Sequence, residues 1–131
     1  MATDVILDTS VVIDFALVAE ELSGYRGALT TITVAELAAG PLAAATEVER
    51  AARQQRLQWA EATFRRPLRF DLAAARSYGS VVAALRQRGR GVRHRSYDLL
   101  IAAVALSREL PVATRNPDDF DGLGVDVVEL A

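Results

Sequence analysis

The sequence predicts an α/β domain: a three-layer sandwich in which a short, mostly parallel central sheet of about five strands is flanked by helices. Two observations carry this. Short apolar runs of strand length alternate with longer segments of helical periodicity, the order that builds a parallel sheet covered on both faces. The segment DLLIAAVALSREL, from Asp98 to Leu110, is too apolar all round for a surface helix and belongs in an interior. The 131 residues are about the size of one domain, 1–131, and no repeat, linker or low-complexity tract divides them.

Each element has its own local signal. Val5 to Leu7 form an apolar run that ends at Asp8, Thr9 and Ser10, a buried strand handing over to a helix through a Ser or Thr cap. VVIDFALVAEEL then carries a helical apolar face at Val11, Val12, Phe15 and Leu22, ending near Ser23 and Gly24. Ala28 to Ile32 reads as a second strand leading into the helix VAELAAGPLA, which Pro41 interrupts or ends. Residues Thr46 to Arg65 are strongly helical, with Thr46 and Glu49 spaced as a capping box. Pro67 to Phe70 is a brief strand candidate, Asp71 caps the helix LAAARSYGSVVAALRQR, and Gly89 and Gly91 break it. Ser96 opens the apolar helix, and Val112–Thr114 and Val125–Leu130 supply the last strands.

Composition excludes several classes of chemistry. There is no cysteine, so disulfides, thiolate metal sites and cysteine nucleophiles are out. The only histidine is His94, and all fifteen basic residues are arginine. A His-rich zinc site, a Walker-type lysine and Schiff-base chemistry are therefore excluded, and any bound metal must be held by oxygen, which favours magnesium or manganese. No apolar run approaches the ~20 residues needed to span a bilayer, and the opening MATDVILD carries an acid and does not read as a signal peptide. The expected location is cytoplasmic, with no membrane partner. Net charge is −2, yet unevenly spread: RQRGRGVRHR, Arg86 to Arg95, holds five arginines, whereas acids collect in PDDFDGLGVDVVE.

Four acids stand at the ends of separate apolar segments: Asp8, Glu36, Asp98 and Asp119. Reactive groups gather at the carboxyl ends of parallel strands, where Asp8 lies and where Asn116 and Asp119 follow the strand VAT. Glu36 and Asp98 lie near the beginnings of helices that can face the same rim. Carboxylates gathered there repel one another unless a divalent cation neutralises them. Each also has a plain structural reading: Asp8 as a helix cap, Glu36 as a solvated helix residue, Asp98 as a complement to the helix dipole, and Asp118 and Asp119 as turn formers. If those readings hold together, the chain is a non-catalytic α/β binding module.

The pieces VILDTSVVIDF, TTITVAELAAG and YDLLIAAVALSRELPVATRNPDDFDGLGVDVV, in that order and spacing, resemble the PIN-domain ribonucleases and, among them, the VapC toxins of bacterial toxin–antitoxin pairs. The likeness covers nearly the whole chain as a single PIN domain, although residues 43–95 match only in length and helical character. It implies a magnesium- or manganese-dependent endoribonuclease, commonly a homodimer, silenced by a cognate VapB-type antitoxin through which alone it meets operator DNA. It assigns Asp8, Glu36, Asp98 and Asp119 to the acidic metal site, with Asn116 beside them and the Ser10 hydroxyl in support. Some relatives carry an acid where Asn116 stands, so Asn116, Asp118 and Asp119 all remain candidates to complete the site. With no lysine and no suitable histidine at the site, water activation falls to the metal, assisted by Glu36 or Asp119 as general base. Hydrolysis by water leaves a 5′-phosphate and a 3′-hydroxyl. Arg86, Arg88, Arg90, Arg93 and Arg95 are candidates to hold RNA phosphates. Tyr97 could stack on a base but reads first as a packing residue, and Trp59 and Phe64 read as core or dimer contacts rather than ligands. A receiver domain and a haloacid-dehalogenase-type phosphatase are disfavoured by the missing lysine.

Overall fold

The computed structural model describes residues 2–89 and 96–131. Four parallel strands form one sheet in the order β2-β1-β3-β4: β1 Thr3–Leu7, β2 Tyr25–Ala28, β3 Val112–Thr114 and β4 Val127–Glu129. Around it lie α1 Thr9–Ile13, α2 Phe15–Val18, α3 Thr31–Ala39, α4 Glu47–Thr63, α5 Leu72–Gln87 and α6 Ser96–Arg108. The central strand β1 alternates its apolar side chains between two layers, as a strand buried on both faces must. Ile6 joins Val112 beneath α5 and α6, while Val5 and Leu7 join Ala113 beneath the α1–α4 layer.

Helix α6 shows why its sequence is apolar on every side. Leu99 and Ile101 through Ala105 are all 0% exposed, shared between the sheet face and α5. Alanines at 102, 103 and 105 let neighbouring backbones approach closely. A short turn, Glu109 to Pro111, feeds α6 into β3. The helix therefore runs back against the strand direction and its first turn lies at the carboxyl end of the sheet.

The structure departs from the sequence-based expectations in three places. The fifth strand reduces to an isolated bridge between Thr30 and Leu68. It makes two bonds between main chains, Leu68 N–H to Leu29 O at 2.8 Å and Thr31 N–H to Leu68 O at 2.9 Å, while Phe70 N–H turns to the Thr31 side-chain Oγ1 at 3.2 Å instead of extending a ladder. The second strand ends at Ala28 and the following helix starts at Thr31, capped by Thr30. The first helix is broken into α1 and α2 at Asp14, which adopts φ −105°, ψ 29° and gives its carboxylate to Arg115 Nη1 at 2.8 Å. The capping box is realised: Thr46 Oγ1 accepts Glu49 N–H at 3.1 Å, and the Glu49 carboxylate reaches back to Ala45 N–H at 3.1 Å.

Candidate active site

Asp8 follows β1 directly, and its amide bonds Ala113 O at 3.0 Å, so the β1–β3 pairing continues to this residue. Register sets its partner: Leu7 stands opposite Ala113, which brings Asp8 beside Thr114. The carboxylate is 4% exposed and accepts from Thr114 Oγ1 at 2.7 Å, Ser10 Oγ at 3.0 Å and, more weakly, Ser10 N–H at 3.4 Å. A buried carboxylate is tolerable because these donors face it. Asp8 is thus also the N-cap of α1, a role the sequence suggested Ser10 could fill. Thr114 Oγ1 in turn accepts Asn116 N–H at 2.9 Å, tying the residues after β3 to the same carboxylate.

The second acid comes from the helix after β2. Glu36 is half-buried and accepts Thr9 Oγ1 at 2.7 Å. Thr9 Oγ1 also stands 2.9 Å from Thr33 Oγ1. A hydroxyl has one proton, and an ionised carboxylate only accepts, so the order is Thr33 to Thr9 to Glu36, each bond polarising the next. Thr33 is itself held by Thr30, whose Oγ1 accepts its N–H at 3.2 Å. Burial pushes the Glu36 carboxyl above the ordinary glutamate range, Thr9's bond opposes this, and the negative charge of Asp8 pushes it further up. The two carboxylates, 28 positions apart in sequence, therefore repel across one site.

Of the remaining sequence candidates, Asp98 sits half-buried in the first turn of α6, at the carboxyl end of the sheet. Asn116 caps and Asp119 ends the 3-10 turn Pro117–Asp119 beyond β3, with Asp119 N–H on Asn116 O at 3.0 Å. Among the described residues, no three acidic or histidine side chains stand close enough to cage a metal by themselves. A hard cation such as Mg²⁺ does not need such a cage: it keeps several waters and binds through one or two carboxylates together with substrate phosphates. An oxygen-only pair of repelling carboxylates, one of them buried and pinned, fits that demand.

The arginine-rich stretch is only partly placed. Arg88 is engaged by Asp121, Nη1 to Oδ2 at 2.8 Å, and lies across Gly122, whose φ of +75° and missing Cβ leave the room. Arg86 is exposed in the last turn of α5; Arg90, Arg93 and Arg95 lie outside the described residues. Tyr97 is 57% exposed, so the expectation that it packs is corrected: it occupies the outer side of the first turn of α6. Trp59 and Phe64 close a ring cluster with Phe15, centroids 5.2 to 5.7 Å apart.

The sequence reading missed the threonines that hold the acids. Thr9 adjoins the first acid and Thr114 occupies the register position opposite it, a signal available once β1 and β3 are paired. It also missed the cleft beside Glu36, about 390 Å³ and lined by Thr9, Ile13, Leu37, Gly40, Arg53 and Arg56.

Comparison with known proteins accounts for this arrangement. The PIN-domain family profile matches residues 5–125. The chain is 42% identical to "Ribonuclease VapC5" of Mycobacterium tuberculosis, over 95% of this chain and 92% of that protein. It is 36% identical to "VapC ribonuclease Y4jK" of Sinorhizobium fredii, over 76% and 71% of the two chains. A crystal structure of a member of the VapBC family of toxin–antitoxin systems, VapBC-5 from Mycobacterium tuberculosis, superposes with a TM-score of 0.82 at 41% identity, covering 97% of this chain and 98% of that one. The chain belongs to the PIN-domain family and, within it, to the VapC proteins.

Proposed function

We propose that this protein is a magnesium- or manganese-dependent endoribonuclease acting as the toxin of a toxin–antitoxin pair. The observation that carries the reading is the pair Asp8 and Glu36, two carboxylates held by hydroxyl donors at the carboxyl end of the central strand. Its relatives are named ribonucleases.

Asp8 and Glu36 would hold the cation, with Asp98, Asp119 and Asn116 completing its surroundings. When bound, such an ion polarises a phosphodiester and acidifies a coordinated water. The chain's own groups do the rest. Asp8, fixed by Thr114 and Ser10, cannot swing away from the rim. Burial and the charge of Asp8 push the Glu36 carboxyl up, and a cation between the two would offset both, with the bond from Thr9 holding Glu36 in place. Attack by water rather than by the ribose 2′-hydroxyl gives a 5′-phosphate and a 3′-hydroxyl.

The partners follow from the same reading: RNA as substrate, a VapB-type antitoxin as inhibitor, a second copy of the chain, and operator DNA through the antitoxin. A mainly apolar groove beside the cleft, lined by Val12, Ile13, Phe15, Ala16 and Trp59 with Gln55 and Arg56 at its polar side, offers an antitoxin segment a place to bind. The test is to sequence RNA ends after brief expression of wild type and Asp8→Ala. New 5′-phosphate ends that need Asp8 support the reading; cyclic phosphate ends, or identical ends from both chains, defeat it.

A further inference from the structure

Arg53 and Arg56 lie three residues apart on α4, so their side chains leave the same helix face one turn apart. Both line the cleft that Thr9 and Glu36 line from the other side. Of the ten other described arginines, Arg26, Arg50, Arg88, Arg108 and Arg115 each pair with a carboxylate, and none of the ten lines this cleft. Arg53 spends one donor on Gly40 O at 2.9 Å, which fixes its guanidinium at the cleft wall and leaves its other N–H groups available. Arg56 is half-buried and, among the described residues, forms no ion pair.

A guanidinium at a cleft wall with no carboxylate partner keeps its donors available to an anion that enters the cleft. Neither arginine pairs with Glu36 across the cleft; the causes that move the Glu36 carboxyl are burial, Thr9 and Asp8. The cleft therefore carries one acid, Glu36, and two guanidiniums that do not pair with it. A polyanion entering the cleft meets these two guanidiniums beside Glu36.

We infer that Arg53 and Arg56 form the phosphate-binding wall of the RNA channel, gripping the backbone beside the phosphodiester that Asp8 and Glu36 address. This rests on the nuclease reading and adds to it the residues that position the substrate. The candidates suggested by the sequence, between Arg86 and Arg95, are on another part of the chain. Guanidinium suits the task, since its planar fork meets two phosphate oxygens at once.

The test uses the full chain carrying Asp8→Asn, so that RNA is bound and not cut, with a fluorescently labelled single-stranded RNA oligonucleotide followed by anisotropy across a salt series. Arg56→Gln should weaken binding roughly tenfold, the value of one charge-assisted contact. It should also flatten the slope of log affinity against log salt by about 0.7, one phosphate contact on a single strand. Adding Arg53→Gln should flatten it by about as much again. Arg56→Lys should keep the slope while losing part of the affinity. Arg56→Met keeps the aliphatic stem and carries the same expectation as Gln should the Gln variant melt early. In the chain with Asp8 intact, Arg56→Gln should raise KM for RNA and leave kcat nearly unchanged.

An unchanged salt slope in folded Arg56→Gln or Arg56→Met overturns the inference, and so does a variant that weakens only the antitoxin complex, which would assign the pair to a protein partner. If the chain with both arginines intact neither binds nor cuts RNA, the nuclease reading has failed. If that chain cuts RNA and the arginine variants match it, only the assignment of this wall has failed.

Discussion

Replacing Thr114 by valine removes one hydroxyl from the interior and keeps the side-chain shape, so its effect is confined to hydrogen bonds. Thr114 is 0% exposed and its Oγ1 donates to the Asp8 carboxylate at 2.7 Å, the shortest of that group's bonds. A hydrogen bond to a charged group contributes about 1.5–3 kcal/mol. The same oxygen accepts Asn116 N–H at 2.9 Å, a part-buried neutral bond worth about 0.5–1.5 kcal/mol. Together the loss is about 2–4 kcal/mol at neutral pH. With an unfolding entropy of about 0.28 kcal/mol/K for 131 residues, this lowers Tm by roughly 7–15 °C. Circular dichroism of wild type, Thr114→Val and Thr114→Ser measures it, the serine recovering most of the loss. A double-mutant cycle with Asp8→Asn then isolates the contact, because with the charge gone Thr114→Val should cost only about 1 kcal/mol. The released carboxylate should also reduce RNA cleavage about 10–100-fold, the usual penalty for loosening the support of a metal ligand. A Tm within about 2 °C of wild type, or equal costs in both backgrounds, refutes the argument that Thr114 pins Asp8.

Three further outcomes follow from the same geometry. Folding raises the Glu36 carboxyl, so the stability tied to its proton is fully present below the ordinary value of about 4.3 and is lost as pH rises through the higher folded value. Without divalent cations Glu36→Gln should therefore melt above wild type at neutral pH and lose that advantage in acid; a difference independent of pH contradicts this. By binding only the folded chain, Mn²⁺ should stabilise wild type by about 2.7 kcal/mol at a hundredfold excess over Kd and raise its Tm accordingly. Scanning fluorimetry should find this gain missing from Asp98→Asn and Asp8→Asn, and equal gains would remove both residues from the metal site. Arg115→Ala frees Asp14 and the Ala131 carbonyl that Arg115 Nε holds at 3.0 Å. Half-exposed, this lock is worth about 1 kcal/mol, and its loss should appear as faster hydrogen exchange at Leu17 N–H, which bonds Asp14 O.

How much was legible in the sequence depended on whether the signal was local. The strand Val5–Leu7 and the helix after Ser96 were read from runs of apolar residues, and α4 from its Thr46 cap, because periodicity and capping act within a few positions. The break at Asp14 was not legible, since the residue that takes its carboxylate lies 101 positions away. The Pro67–Phe70 strand failed for a related reason: its residues favour extended backbone, but only one bridging partner is within reach. The acids themselves were visible as charges ending apolar runs, whereas the hydroxyls that orient them were not. Thr9 meets Glu36 across 27 positions and Thr114 meets Asp8 across 106, contacts that exist only once helix placement and strand register are fixed. Arg53 and Arg56 carry no local signal in the sequence; only the placement of α4 puts them at the cleft.

The most direct measurement is cleavage of a single-stranded RNA by the purified chain, free of antitoxin, as Mg²⁺ is titrated in and then removed with a chelator. Activity that rises with Mg²⁺, disappears on chelation and is absent from folded Asp8→Asn is the expected result. Cleavage that persists without divalent cations, or that survives Asp8→Asn, would contradict the assignment of Asp8 and Glu36 to a metal-dependent hydrolytic site.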